Sequence, residues 1–132
     1  MSKPTGNIHL ALAGPALRAF TQIASAWKLT EHEQSAILGC PKSVALELLE
    51  NGGAGGEDFW PETLERVSYV LGIYHALHIL FPEPNQADNW IRCPNTSSPF
   101  KGATAIDLMC SGRVNSLAAV REYLDAQGLA EP

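Results

Sequence analysis

At 132 residues, with 45% hydrophobic and 17% charged side chains, the chain has the balance of a globular protein, long enough to bury roughly two-thirds of its unfolded surface. The formal charge is -5, with the acidic excess in Glu57, Asp58, Glu62, Glu65, Glu83 and Asp88 against Arg66, which leaves no basic cluster of the kind that neutralises duplex phosphates. Cys40, Cys93 and Cys110 are widely spaced and lack a C-x-x-C, which points away from a disulfide framework or thiolate zinc site and toward a reduced cytoplasm, while the apolar runs are too short for a secretory signal or membrane span.

Strand-like alternation is nearly absent and apolar spacings of three and four recur after residue 15, so an all-α small helical bundle is expected. Pro15 is placed in the first turn of a helix whose buried face is Leu17, Phe20, Ile23, Ala24 and Trp27. Thr30 and Glu33 form the T-x-x-E capping pattern of a second helix, LTEHEQSAIL, ending at Gly39. A third, short helix is predicted from Pro41 to about Glu50, with Val44, Leu48 and Leu49 inward. Two short helices joined by Gly39-Cys40-Pro41 have the shape of a helix-turn-helix. In a DNA-reading version Lys28, Lys42 and Ser43 would face the nucleic acid, but Glu47 and Glu50 oppose phosphate contact. A helix pair used for packing or dimerisation explains the pattern equally well. Asn51 to Gly56, NGGAGG, reads as a connector that divides residues 1–56 from residues 57–132.

FWPETLERVSYVLGIYHALHILFP predicts a long central helix with Leu64, Val67, Leu71, Tyr74, Leu77 and Phe81 on one face, widened by Val70, Ile73 and Ile79. Glu62 and Arg66 are placed on its exposed side as an i,i+4 pair. His75 and His78 share a helix face, but two ligands rarely make a metal site, and packing or an interface is the simpler reading. A short helix from about Asn85 carries Ala87, Trp90 and Ile91, with Trp90 as its buried anchor, and stops before Pro94. PNTSSPFKG is a turn-rich loop that needs Phe100 clamped. Thr104 and Asp107 repeat the cap pattern, which makes Asp107 a helix-starting residue; Leu108, Met109 and Cys110 pack, Gly112 ends the turn, and a last helix from about Asn115 to Gln127 buries Leu117, Val120 and Leu124.

No P-loop, dinucleotide glycine motif, HExxH or nucleophile elbow is present, and Ser111 and Cys110 have no base within their segment. No catalytic residue, metal or cofactor is assigned, and the expectation is a non-enzyme.

One ordered set of residues carries a resemblance: Ala87, Trp90, Ile91, Pro94 and Asn95; then Phe100, Gly102, Ala105, Asp107, Leu108 and Met109; then Gly112, Arg113, Val120, Arg121, Tyr123 and Leu124. It resembles the toxin-binding domain of the Xre/MbcA/ParS antitoxins, over about residues 84–126, and the preceding helices extend the likeness as an Xre-like region. The resemblance implies a bacterial antitoxin, dimeric, that neutralises a RES-domain toxin acting on NAD by covering its cleft, and in many members also represses its own operon. The weakly basic third helix, Pro41 to about Glu50, departs from that last expectation. A cleft that holds a pyrophosphate tends to be cationic, so Glu122, Asp125 and Glu131 are candidate complements, and Arg113, Arg121 and Tyr123 are candidate interface residues. The main alternative is a stand-alone helix-turn-helix regulator with no toxin partner; a third is a scaffold that dimerises through the central helix.

Overall fold

The structure is a computed structural model that describes residues 4–41, 45 and 60–130. The helix expected from Pro41 to Glu50 falls largely outside those residues, as do Lys42, Ser43, the 51–56 connector and Glu131. The protein is all-α: α1 (Pro4–Trp27), α2 (Glu31–Leu38), α3 (Trp60–Leu80), α4 (Pro84–Asn89), a 3-10 turn (Trp90–Arg92), α5 (Ala105–Met109) and α6 (Val114–Ala130). No β-strand occurs among the described residues; an isolated antiparallel bridge joins Pro94 and Thr104. None of the described helices is long and apolar enough to cross a membrane. The chain divides into two compact units, Met1–Ser68 and Tyr69–Pro132.

In the first unit, α1 buries Leu17, Phe20, Ile23, Ala24 and Trp27. These are the positions that the spacing predicts, and each large side chain contributes about 1.5–3 kcal/mol of transfer free energy. The helix begins at Pro4, so Pro15 lies inside it and not in its first turn. A continuous apolar period across residue 17 onward masks the missing N–H at Pro15, which cannot donate to the carbonyl four residues back. α1 ends in a Schellman arrangement: Lys28 takes φ 55°, its N–H donates to the Ser25 carbonyl at 3.2 Å, and the Leu29 N–H donates to the Ala24 carbonyl at 2.9 Å. Lys28 therefore occupies the backbone position usually given to glycine.

α2 starts on the predicted capping box, with Thr30 Oγ1 accepting from the Glu33 N–H at 3.1 Å and Glu33 Oε1 accepting from the Thr30 N–H at 2.9 Å. It ends at Gly39, whose φ of 74° lies in the left-handed region that glycine adopts without a Cβ penalty. The Arg66 guanidinium lies against that same glycine. This corrects the sequence reading of Arg66 as a solvent-side residue: its side chain is 6% exposed, while that of its partner Glu62 is 61% exposed. Arg66 Nη1 donates to the Ile37 carbonyl at 3.4 Å and Nε to Glu62 Oε2 at 3.2 Å. A cation at the C-terminal end of α2 meets the negative end of the helix dipole and one of its orphan carbonyls. Cys40 is buried beside it, and burial pushes the thiol pKa up, opposed in part by the Arg66 charge. Beyond Pro41, Ala45 is buried and its N–H donates to the Pro41 carbonyl at 2.9 Å, an i→i−4 bond.

The second unit is built on Val70, Ile73 and Leu77 of α3, Ala87 and Ile91, Phe100, Ala105, Ile106 and Met109, and Leu117, Val120 and Leu124 of α6, all buried. α5 packs against both α6 and the 3-10 turn, and α4 against that turn. Leu71, Tyr74 and Phe81, expected on the buried face of α3, are only half-buried, and Ile79 is 65% exposed. α3 carries apolar residues nearly all round, so periodicity establishes the helix but leaves its rotation about its own axis open. Trp90 is likewise half-buried; Ala87 and Ile91 are the fully buried anchors of that segment. Cys110 is half-buried, not a core residue.

Candidate interaction surface

Residues 93–104 form a pinned loop. The Asn95 N–H donates to the Ala103 carbonyl at 3.0 Å, the Gly102 N–H to the Asn95 carbonyl at 2.7 Å, and the Ser97 N–H to Asn95 Oδ1 at 2.9 Å. Asn95 Nδ2 donates to Tyr123 Oη at 3.4 Å, which ties the loop to α6. Phe100, 2% exposed, is the expected clamp. Its ring meets Trp90 edge-on at 5.7 Å and Tyr123 edge-on at 5.0 Å, while Trp90 and Tyr123 stack at 6.1 Å. Each such aromatic pair is worth about 0.5–1.5 kcal/mol beyond area burial. Lys101 and Gly102 turn the loop at φ 52° and 94°.

The loop delivers the chain to α5, whose capping box is formed by Thr104 and Asp107: Asp107 Oδ2 accepts from the Thr104 N–H at 3.3 Å and Thr104 Oγ1 from the Asp107 N–H at 3.2 Å. Met109 is fully buried and Gly112 takes φ 87° before α6. Trp90, Asn95, Phe100, Gly102, Asp107, Met109 and Gly112 thus shape and anchor the C-terminal unit.

The candidate surface residues separate into distinct environments. Arg113 is exposed at the start of α6, about 12 Å along the axis from Arg121 at 1.5 Å per residue. Glu122 and Asp125 are exposed. Tyr123 is half-buried and belongs to the aromatic cluster as well as to the surface. Arg121 Nε donates to Asp125 Oδ2 at 3.3 Å, an i,i+4 pair with side chains 38% and 51% exposed. Its guanidinium lies directly over Gly72 of α3, in space a Cβ at that position would occupy. The sequence reading missed this contact; its signal is a glycine in the middle of a 21-residue helix, where about 1 kcal/mol of helix propensity is given up relative to alanine.

Beyond Gly72, a groove of about 380 Å³ is lined by Ala76, Ile79 and Leu80 of α3 and Leu124, Asp125 and Gly128 of α6. A smaller one of about 210 Å³ shares Leu80 and Leu124 and reaches Trp90 and Tyr123. Elsewhere, His78 Nε2 lies 3.0 Å from Asp88 Oδ1 and its ring 4.2 Å from that of Tyr74, while His75 is exposed. Among the described residues no group of three or more His, Cys, Asp or Glu side chains could hold a metal ion.

An all-helical protein whose C-terminal unit offers a pinned loop, a half-exposed aromatic and a charged, grooved helix face has the makings of a protein-recognition module. Residues 76–128 match the family described as the antitoxin Xre/MbcA/ParS C-terminal toxin-binding domain. The chain is also similar to the uncharacterized protein y4oB of Sinorhizobium fredii (strain NBRC 101917 / NGR234), 44% identical over 112 residues that span 84% of this chain and 82% of the relative. Through residues 76–128 the chain belongs to the Xre/MbcA/ParS antitoxin family.

Proposed function

We propose that the protein is a non-catalytic antitoxin that binds a RES-domain toxin, one that degrades NAD or transfers ADP-ribose, and covers the active-site cleft with the exposed face of α6. The observation that supports this most is the position of Glu122 and Asp125: both are exposed, both lie within the matched toxin-binding region, and they are three residues apart on one helix face. A cleft that binds a pyrophosphate tends to present cations and N–H donors, which two carboxylates complement. Tyr123 and Arg121 border this face, and Arg113 marks its far end. Residues 57–132 form the toxin-binding region of this reading, residues 1–56 an Xre-like region, and the antitoxin acts as a homodimer in the cytoplasm.

Growth rescue tests the proposal. A cell expressing a cognate RES-domain toxin should grow only when the antitoxin is co-expressed. Glu122→Lys/Asp125→Lys should abolish rescue while the protein remains folded by circular dichroism. Undiminished rescue by that variant would sink the proposed surface. Truncation at residue 121 is a poorer probe, because it also removes the buried Leu124 and the cluster residue Tyr123.

A second activity, repression of the shared operon, is favoured by α2 and its left-handed exit at Gly39 into Pro41, the turn shape of a helix-turn-helix. It predicts salt-dependent retention on the promoter fragment, whereas the stand-alone regulator predicts the same retention with no toxin bound.

A further inference from the structure

The groove between α3 and α6 differs from the charged face of α6 in both shape and chemistry. Contacts along it run in step: Arg121 lies over Gly72, and the open part follows between Ala76 and Gly128. The Arg121 guanidinium thus closes the Gly72 end, and small residues keep the remainder clear. Its walls are aliphatic apart from Asp125. Ile79, at 65% exposure, is the large hydrophobic side chain that stands exposed among the described residues. An exposed aliphatic residue beside an apolar concavity of this volume has the anatomy of an interface hot-spot pocket, which takes an anchor side chain and excludes water around it.

We propose that this groove seats one bulky apolar side chain of the toxin, flanked on the toxin surface by basic residues. The inference rests on the toxin-binding reading above and adds a second point of attachment to it. Two observations select this occupant. All six lining residues fall within the region matched as toxin-binding, residues 76–128. The carboxylates at the groove are Asp125, in its lining, and Glu122, three residues away on the exposed side of the same helix, while the nearby cation, Arg121, is drawn off to Gly72 and paired. A basic rim on the partner complements that arrangement. A second copy of the chain fits less well, because an isologous contact places the same patch on both sides and would set these carboxylates against themselves.

The test uses the full-length protein and the RES-domain toxin of the proposed function, with affinity measured by isothermal titration calorimetry. Gly128→Leu is the informative variant: an added Cβ there meets no atom within 4 Å, so the leucine can occupy the groove without displacing backbone. Gly128→Leu and Ile79→Ser should each weaken toxin binding at least tenfold with the melting temperature held or raised for Gly128→Leu, and Gly128→Ala should bind within about twofold of wild type. Wild-type affinity in Gly128→Leu and Ile79→Ser would overturn the groove assignment while leaving the charged-face reading intact. Loss of self-association in those variants, with toxin affinity unchanged, would overturn it in favour of a second copy. Absence of binding by the wild-type protein would overturn the toxin reading and the groove together.

Discussion

Replacing Gly72 by alanine isolates the contact between Gly72 of α3 and the Arg121 guanidinium of α6. In an exposed helix the change is stabilising by about 1 kcal/mol, since alanine loses less backbone entropy than glycine. Here the new methyl group would fall on the Arg121 guanidinium, so the arginine must leave its seat and release Asp125, 3.3 Å from its Nε. Both side chains of that pair are more than a third exposed, so its loss costs well under 1 kcal/mol after solvent screening. Lost packing of the guanidinium and its stem over the helix offsets the remainder. The expected net change is close to zero, while the same substitution in an Arg121→Ala background should deliver the full ~1 kcal/mol. At about 2.1 cal/mol/K of unfolding entropy per residue, that corresponds to roughly 4 °C in melting temperature. Calorimetric melts of wild type, both single variants and the double variant complete the cycle, with a coupling of about 1 kcal/mol expected. A gain of ~4 °C in both backgrounds, hence no coupling, would refute the claim that Gly72 exists to seat Arg121.

Other outcomes follow from the same geometry. Phe100→Ala removes the buried centre of the aromatic cluster and should cost about 3–5 kcal/mol, seen as a melting transition more than 10 °C lower; Phe100→Leu should recover part of this. Lys28→Gly relieves a non-glycine left-handed residue at φ 55° and should stabilise the protein by about 1 kcal/mol, measured by urea titration. Gly39→Ala should do the opposite, by more than 1 kcal/mol, because it combines φ 74° with contact against Arg66. Alkylation at pH 8 followed by mass spectrometry should modify Cys93, which is exposed, first and Cys40 last. A thiol pKa raised by burial leaves less thiolate at that pH, so the Cys40 rate should climb as pH rises further; Cys40 reacting as fast as Cys93 would contradict its burial.

Much of this was legible in the sequence because the signals were local. Thr30 and Asp107 announce their helices through side-chain bonds to backbone three residues away, and Gly39 ends one because glycine takes the left-handed turn without a Cβ penalty. Leu117, Val120 and Leu124 are legible as one stripe of α6 because they recur at i, i+3 and i+7, with Arg121 and Glu122 placed off that stripe. The rotation of α3 was not legible: Ile79 and Ile73 are the same residue type, and only tertiary packing buries one and leaves the other in water. Arg66 misled for a related reason, since its i,i+4 spacing from Glu62 is satisfied equally by a surface pair and by an arginine turned inward toward Ile37 and Gly39. The candidate surface was readable as residue types, yet the sequence did not show that Tyr123 doubles as a cluster member, that Arg121 is held over Gly72, or that a groove opens beyond it.

The central claim, that the α6 face covers a toxin cleft, is tested most directly by following NAD consumption by a cognate RES-domain toxin as the full-length protein is titrated in. The account predicts that turnover falls to zero at a fixed stoichiometry with the wild-type protein and persists with Glu122→Lys/Asp125→Lys. NAD turnover that continues under saturating wild-type antitoxin, or is halted equally well by the charge-reversed variant, would contradict it.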